Sequence, residues 1–391
     1  MILTNRSPQC NRRAFLRLGA TLAAAAPLAG LSRAFGQQNV LSADARSKAT
    51  VAIVSCKTYG PEVKAALRQC LDLIGGVDKL VRNKTVAVKL NLTGTDFTRF
   101  LDKPVGETFM THSATVSALL ALLFDAGAAR VRLLESTQSR DDLKTTLGIA
   151  GWDVSVLDAL GKVEYENTRN LGSGTSYTTL RVPSGGYMFS SFELNHSYHD
   201  TDVMVSIAKL KRHLTAGVTL SMKNMFGLTP NSLYGSEAGS EKATDGRMPL
   251  HSPVGFEKLK LPGLKPEADF RDPFSRVPHI VADVCAARPI DLAIVDGISA
   301  MTGGEGPWCS QATVIKPTTP GVLIAGLNPV STDAVAAAVM GYDPRAIRGT
   351  KPFEYCDNHL LLAEQAGVGS ADLGRIDVRG MTIQSALYPY D

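Results

Sequence analysis

The 391-residue sequence predicts an α/β protein, with a mostly parallel Rossmann-like sheet flanked by helices, an antiparallel excursion and a long loop insertion. Three observations carry this prediction. Short β-branched runs alternate with segments of helical period, the pattern of βαβ units. Glycines recur where the helical patterns stop. Finally, 44% hydrophobic against 20% charged residues is the balance of a chain that buries a core. Beyond the N-terminal region no run of about 18 uncharged apolar residues occurs, which excludes a polytopic membrane protein.

Each element follows from its local pattern. After a polar linker at 37–48, residues 50–55 (TVAIVS) read as a buried strand. Residues 61–74 read as a helix with Val63, Leu67, Leu71 and Ile74 on one face, stopped by Gly75 and Gly76. A second strand is expected over 85–92. A second helix follows over 113–127, capped by Ser113 and ended by Gly127, and a third strand over 130–134. This βαβαβ order implies parallel strands with right-handed crossovers.

From 154 to 194 the pattern turns strand-like without intervening helices, punctuated by Gly172, Gly174, Gly185 and Gly186, and reads as an antiparallel excursion. Strands are then expected at 202–207, 291–295 and 322–325, and helices at 218–226, 279–287 and 329–340. The stretch 228–277, rich in Gly, Pro, Ser and charge, is too long for an ordinary connection and reads as a functional lid or mobile loop. The elements group into an N-terminal α/β lobe over 49–200 and a C-terminal α/β lobe over 201–391 that carries the 228–277 loop.

The first 36 residues resemble a twin-arginine signal peptide. Arg12-Arg13 precede an uncharged apolar stretch at 18–31, Arg6 and Arg17 complete a basic start, and small residues follow at Ala34 and Gly36. The expected address is periplasmic or extracytoplasmic, reached folded through the twin-arginine translocase, with no stable membrane span after cleavage. Removing the leader takes away five of 41 basic residues and no acid, leaving 36 against 37. A mature chain so close to neutral offers no field that attracts nucleic acid. The remaining cysteines, Cys56, Cys70, Cys285, Cys309 and Cys356, show no C-x-x-C spacing, which argues against a ferredoxin-type iron–sulfur cluster.

The chemistry concentrates where ligands bind in an open α/β sheet, beyond the carboxyl ends of the strands. Lys209, Lys211 and His213, then Lys223 and Asn224, follow the 202–207 strand; Lys89 and Asn91 end the second strand, and Glu135 the third. Cationic groups converging there suit a phosphate or carboxylate. His112 precedes a helix start, where unpaired N–H groups favour anions. His213 and His251 are candidate proton carriers, Glu135 a candidate base, and His279 a weaker candidate. Asp296 and Glu305, beside a glycine-rich turn, are candidate ligands for a metal ion. The glycines match neither a dinucleotide nor a Walker pattern, and no G-x-S-x-G elbow is present.

These blocks in this order resemble the family catalogued as domain of unknown function 362. The resemblance rests on K-L-N at 89–91, T-H at 111–112 and K-L-K-R-H at 209–213. It continues through G-V-T-L-S-M-K-N-M-F-G at 217–227, His251, D-L-A-I-V-D-G-I at 291–298, M-T-G-G-E-G-P at 301–307 and N-P-V-S-T-D-A-V-A at 328–336. It spans roughly 51–343. Many members append a ferredoxin-like cysteine cluster that this chain lacks. The resemblance implies no settled reaction and no catalytic residue. A fainter similarity to the lactate racemase group is architectural only.

The sequence therefore leads to an exported enzyme of unknown reaction acting on a small anionic substrate, a phosphate or carboxylate, with or without the assistance of a metal ion or other cofactor. The alternative is a periplasmic ligand-binding or cofactor-carrying protein without catalysis.

Overall fold

A computed structural model describes residues 48–94, 96–268, 270–311 and 314–390. The leader expected at 1–36 lies outside the described residues. One eight-stranded sheet organises the chain. Its strands are β1 (Ala49–Ser55), β2 (Thr85–Lys89), β3 (Arg130–Glu135), β4 (Val163–Asn167), β5 (Val203–Lys209), β6 (Leu292–Gly297), β7 (Val322–Gly326) and β8 (Ile376–Gly380), in the spatial order β8-β1-β7-β6-β5-β2-β3-β4. Every neighbouring pair is parallel except those of β7, which runs antiparallel to both β1 and β6. No α-helix separates β6 from β7 among the described residues, so the chain returns directly, and a direct return gives an antiparallel pair.

Because strand side chains alternate between faces, the sheet sorts its residues into two cores. On one face Ala52, Val54, Val86, Val88, Leu133, Val205 and Ile294 pack beneath α1 (Glu62–Leu73) and α2 (Ser113–Asp125). On the other, Val51, Ile53, Ala87, Met204, Val295 and Ile324 pack against α3 (Leu220–Asn224), α4 (Pro273–Ala287) and α5 (Pro329–Val339). Strands from 49–200 and from 201–391 thus share one sheet, and both cores draw on both ranges. Among the described residues no helix is long and apolar enough to cross a membrane.

Several expectations need correction. The cap of α2 is His112, whose Nδ1 accepts from the Ala114 N–H at 3.1 Å, and not Ser113. The 154–194 stretch is only partly an antiparallel excursion. It opens with a short helix, Val154–Asp158, then supplies β4, which joins the main sheet in parallel; only Thr178–Arg181 and Ser191–Leu194 form an antiparallel pair. Helix α4 begins at Pro273, ahead of the expected 279. Asp272 caps it by accepting from the Phe274 N–H at 3.0 Å, and Pro278 forfeits one hydrogen bond without ending it. The helix expected over 218–226 is the shorter α3 followed by a 3-10 turn. Strand β8 was not anticipated.

The 228–277 stretch is folded over the carboxyl ends of the strands by short helices at Asn231–Tyr234 and Met248–His251. Arg276, fully buried, anchors it. Its guanidinium donates to the carbonyls of Pro249 (2.7 Å), Leu250 (3.2 Å), Ser252 (2.9 Å), Phe270 (2.7 Å) and Arg271 (2.6 Å), and lies 3.8 Å from the Phe256 ring centroid.

Candidate functional site

Strands β1 to β6 all run the same way, so one edge of the sheet gathers the ends of β2, β3, β5 and β6, with Asp296 opposite Lys209 in register. Beyond β5 the chain stays extended, and alternation divides it. Lys209, Lys211 and His213 fall on one side; Leu210 enters the core and Arg212 pairs with Glu354 at 2.7 Å. A two-rung hairpin, Arg212 opposite Val218 and His213 opposite Gly217, turns the chain back into α3. Leu220 opens α3 at φ +45°, a left-handed conformation that costs a non-glycine residue on the order of 1–3 kcal/mol. Asp333 on α5 holds that strained start. Its carboxylate accepts from the Ser221 N–H at 2.9 Å, the Ser221 hydroxyl at 2.7 Å and the Met222 N–H at 2.8 Å. This grip fixes Lys223 and Asn224 one turn later.

The four lysines are buried, and each is satisfied differently. Lys89 Nζ pairs with Glu135 Oε1 at 2.6 Å and donates to the Leu90 carbonyl at 2.6 Å, with Asn224 Oδ1 at 3.4 Å. Glu135 also accepts the N–H groups of Leu92 (2.7 Å) and Ser136 (2.9 Å). Lys209 pairs with Asp296 at 3.2 Å and donates to the Ser299 carbonyl at 2.8 Å and to the Tyr59 hydroxyl. Lys211 has no carboxylate at salt-bridge distance among the described residues; it donates to the carbonyls of Phe109 (2.6 Å) and Glu305 (2.9 Å). Lys223 Nζ lies 4.3 Å from the Phe226 ring centroid. It makes no hydrogen bond or ion pair among the described residues.

Burial disfavours the charged form of every one of these amines. It lowers Lys89 and Lys209 against the opposing pull of Glu135 and Asp296, and pushes Lys211 and Lys223 down to about 7.

The histidines are neutral for the same reason. His213 Nδ1 accepts from the Thr215 N–H at 3.2 Å and lies 3.9 Å from Glu305 Oε2. His251 hydrogen-bonds through Nδ1 to the Arg247 carbonyl at 3.1 Å, which leaves a lone pair on Nε2. The two rings stack at 6.0 Å, and His251 also rests against Phe226 at 4.7 Å. Burial, and after it the charge of Lys223, holds His213 well below its ordinary value and His251 at about 3.

The structure brings most of the expected residues together. Lys89, Lys211, Lys223, Asn224, His213, His251 and Glu135 form one electrostatically coupled cluster with Glu305. Lys209 and Asp296 sit beside it in a second knot, with Tyr59, Thr115 and His112. There the Tyr59 hydroxyl donates to Asp296 Oδ1 at 2.9 Å, Thr115 donates to Oδ2 at 3.0 Å, and the Tyr59 and His112 rings stack at 3.6 Å. Burial, then Lys209, pushes His112 down to about 4. Asn91 is buried near the end of β2, and its Oδ1 has no donor among the described residues.

The two candidate metal ligands are held by separate sets of donors: Asp296 by its second knot, Glu305 by the Leu214 N–H at 2.9 Å and Trp308 Nε1 at 3.2 Å. His279 stands apart on α4, bonded to the Ser275 carbonyl at 2.8 Å.

Sequence reasoning missed three participants. Arg247 reaches down from the 228–277 stretch to Ser136 Oγ (2.9 Å), the Thr229 carbonyl (2.8 Å) and Asn231 Oδ1 (2.6 Å), and faces no carboxylate at salt-bridge distance among the described residues. His359, fully buried, has neither ring nitrogen in a well-formed hydrogen bond, although the Ala216 carbonyl is close; burial and then Lys223 push it down to about 3. Tyr59 completes the second knot. Arg247 and His359 carry no local signal, since each comes from a segment far along the chain. Two surface hollows flank α1, one of about 90 Å³ lined by residues such as Arg68, Asp72 and Asp125, and neither touches the cluster.

Buried lysines thus gather at the strand ends of an α/β sheet, the edge where such sheets place their ligands. The family described as Domain of unknown function (DUF362) matches residues 86–338, from β2 through nearly all of α5, and the chain belongs to it. The chain is also similar to the thylakoid-associated protein sll1697 of Synechocystis, 24% identical over 309 residues that cover 76% of each chain.

Proposed function

We propose that this protein is an exported enzyme acting on a small anionic substrate, a phosphate or a carboxylate, with Lys211, Lys223 and Arg247 receiving the anion and His213 or His251 moving a proton. One observation carries the reading. Among the described residues Lys211 and Lys223 are buried with no carboxylate at salt-bridge distance, Glu305 acting on both only from further off, beside imidazoles held neutral. Burying cations without counter-charge is costly unless something compensates, and a bound anion does so. Neutral imidazoles next to that anion are competent proton acceptors. The export part rests on the twin-arginine pattern at 12–13 and its apolar stretch. The thylakoid association in the name of the cyanobacterial relative is compatible with a destination beyond the cytoplasm.

The test is direct. The folded protein is screened for retained metabolites and metals, then titrated with phosphate and with small carboxylates, before and after Lys211→Met and His213→Ala. Loss of binding or turnover in these variants is expected. Unchanged binding and turnover would refute the reading.

A further inference from the structure

We propose that Lys223 is a nucleophilic amine that forms an imine with a small carbonyl compound carrying a carboxylate or phosphate group. This rests on the anion-site reading above and specifies the chemistry of its ligand. The four lysines of the site differ in one respect. Lys89 and Lys209 are committed to carboxylates, and Lys211 is fixed between two carbonyl oxygens. Lys223 Nζ has no acceptor among the described residues and lies over the ring of Phe226. It is also the least sealed of the four, at 7% exposure against 0–1% for the others.

An ammonium placed there finds no protein acceptor among the described residues, whereas a neutral amine offers a lone pair at little cost. Burial lowers the amine to about 7, so a large share is unprotonated near neutral pH. Lys211 is lowered equally but tethered, which makes it an internal control.

The step balances without oxidant or reductant. The Lys223 lone pair attacks the carbonyl carbon, a C–N bond forms, and the C=O π pair moves to oxygen. The nitrogen proton passes to an imidazole. His251 is placed to receive it, because its Nε2 carries the lone pair and its ring packs against Phe226, as the Lys223 amine does. Part of what depresses His251 is the Lys223 charge itself, which disappears as the proton leaves. The imidazolium returns that proton to the alkoxide, giving the neutral carbinolamine; a second proton then follows the same route from nitrogen through the imidazole to the hydroxyl, which departs as water while the C=N bond forms. Lys211 and Arg247 hold the anionic end of the ligand.

The folded full chain is incubated with glyoxylate, pyruvate or pyridoxal 5′-phosphate, reduced with borohydride and mapped by peptide mass spectrometry. Phosphate binding is measured by calorimetry in parallel. A reduced adduct at Lys223 is expected, about tenfold or more above every other lysine including Lys211, because a far larger fraction of this amine is neutral than of an exposed lysine. Phosphate should compete, and Lys223→Arg and Lys223→Met should abolish the adduct, with folding of each checked by circular dichroism. The adduct map of the unsubstituted protein decides the matter even where a variant fails to fold. Phosphate binding with no adduct, or with adducts spread over exposed lysines, overturns the imine and leaves the anion site standing. Failure of phosphate and of all three carbonyl probes to bind overturns both.

Discussion

Replacing Lys223 by methionine should make the protein more stable while removing its function. The amine is buried and unpartnered, and its value falls from an ordinary 10.5 to about 7. A gap of that size corresponds to about 5 kcal/mol of disfavoured charge, at about 1.4 kcal/mol per unit. The sign follows from linkage. The folded value is depressed, so between about pH 7 and 10.5 the unfolded chain holds a proton that the folded chain has released. Stability therefore rises with pH across that window, and the full cost is present below pH 7.

Methionine is close in volume, keeps contact with Phe226 and carries no charge. Lys223→Met should thus gain about 2–5 kcal/mol at pH 6, the lower figure allowing for local relaxation and water penetration, and almost nothing near pH 10.5. Urea denaturation followed by far-ultraviolet circular dichroism at pH 6 and pH 10.5 measures both. A variant less stable than the parent by the same amount at both pH values would refute the reasoning.

Three further outcomes follow from the same geometry. Burial raises the Asp333 carboxyl to about 7, above its unfolded value, so the folded chain keeps a proton that the unfolded chain loses, and Asp333 erodes stability as pH climbs from about 4 through 7. Asp333→Asn should abolish that slope and cost about 2 kcal/mol at pH 5 by facing an amide toward the Ser221 or Met222 N–H, as pH-dependent denaturation would show. Arg276→Met should strand the carbonyls at 249–252 and 270–271, destabilise by about 3 kcal/mol, and open the 228–277 stretch to limited proteolysis before the sheet unfolds. Gly227→Ala should weaken phosphate binding in calorimetry by displacing the Lys89–Glu135 pair, since a Cβ there would sit 3.0 Å from Lys89 Nζ.

Much of the fold and the outline of the site are legible in the sequence, for a physical reason. Strand period and glycine stops mark β1 to β3, β5 and β6, and in a parallel sheet a residue at a strand's end is necessarily at the ligand-binding edge. That rule alone unites Lys89, Glu135 and Lys209 from segments more than a hundred residues apart. What the rule does not give is the pairing among them. Nothing local says that Lys89 and Lys209 are neutralised by Glu135 and Asp296 while Lys211 and Lys223 are not, because those pairings depend on strand order.

Arg247 and His359 were illegible because they lie outside any strand end and reach the site through tertiary packing, whereas Tyr59, just past the carboxyl end of β1, was within reach of the strand-end rule. The antiparallel direction of β7 was legible in principle, since no helix is read between 295 and 322. Helix α4 starts earlier than the 279 expected from the sequence, because Asp272 and Pro273 form a start signal and Pro278 is tolerated inside the helix.

The central claim is that buried, unpaired amines wait for an anion. It is tested most directly by calorimetric titration of phosphate at pH 8 in two buffers of different ionisation enthalpy. At that pH Lys211 and Lys223 are largely neutral when the site is empty, and an anion beside them raises both values. Binding should therefore take up about one to two protons, and affinity should fall by up to about tenfold per pH unit for each lysine as pH rises above 7. Phosphate that binds with no proton uptake and equal affinity from pH 6 to 9, or that does not bind at all, would contradict the account.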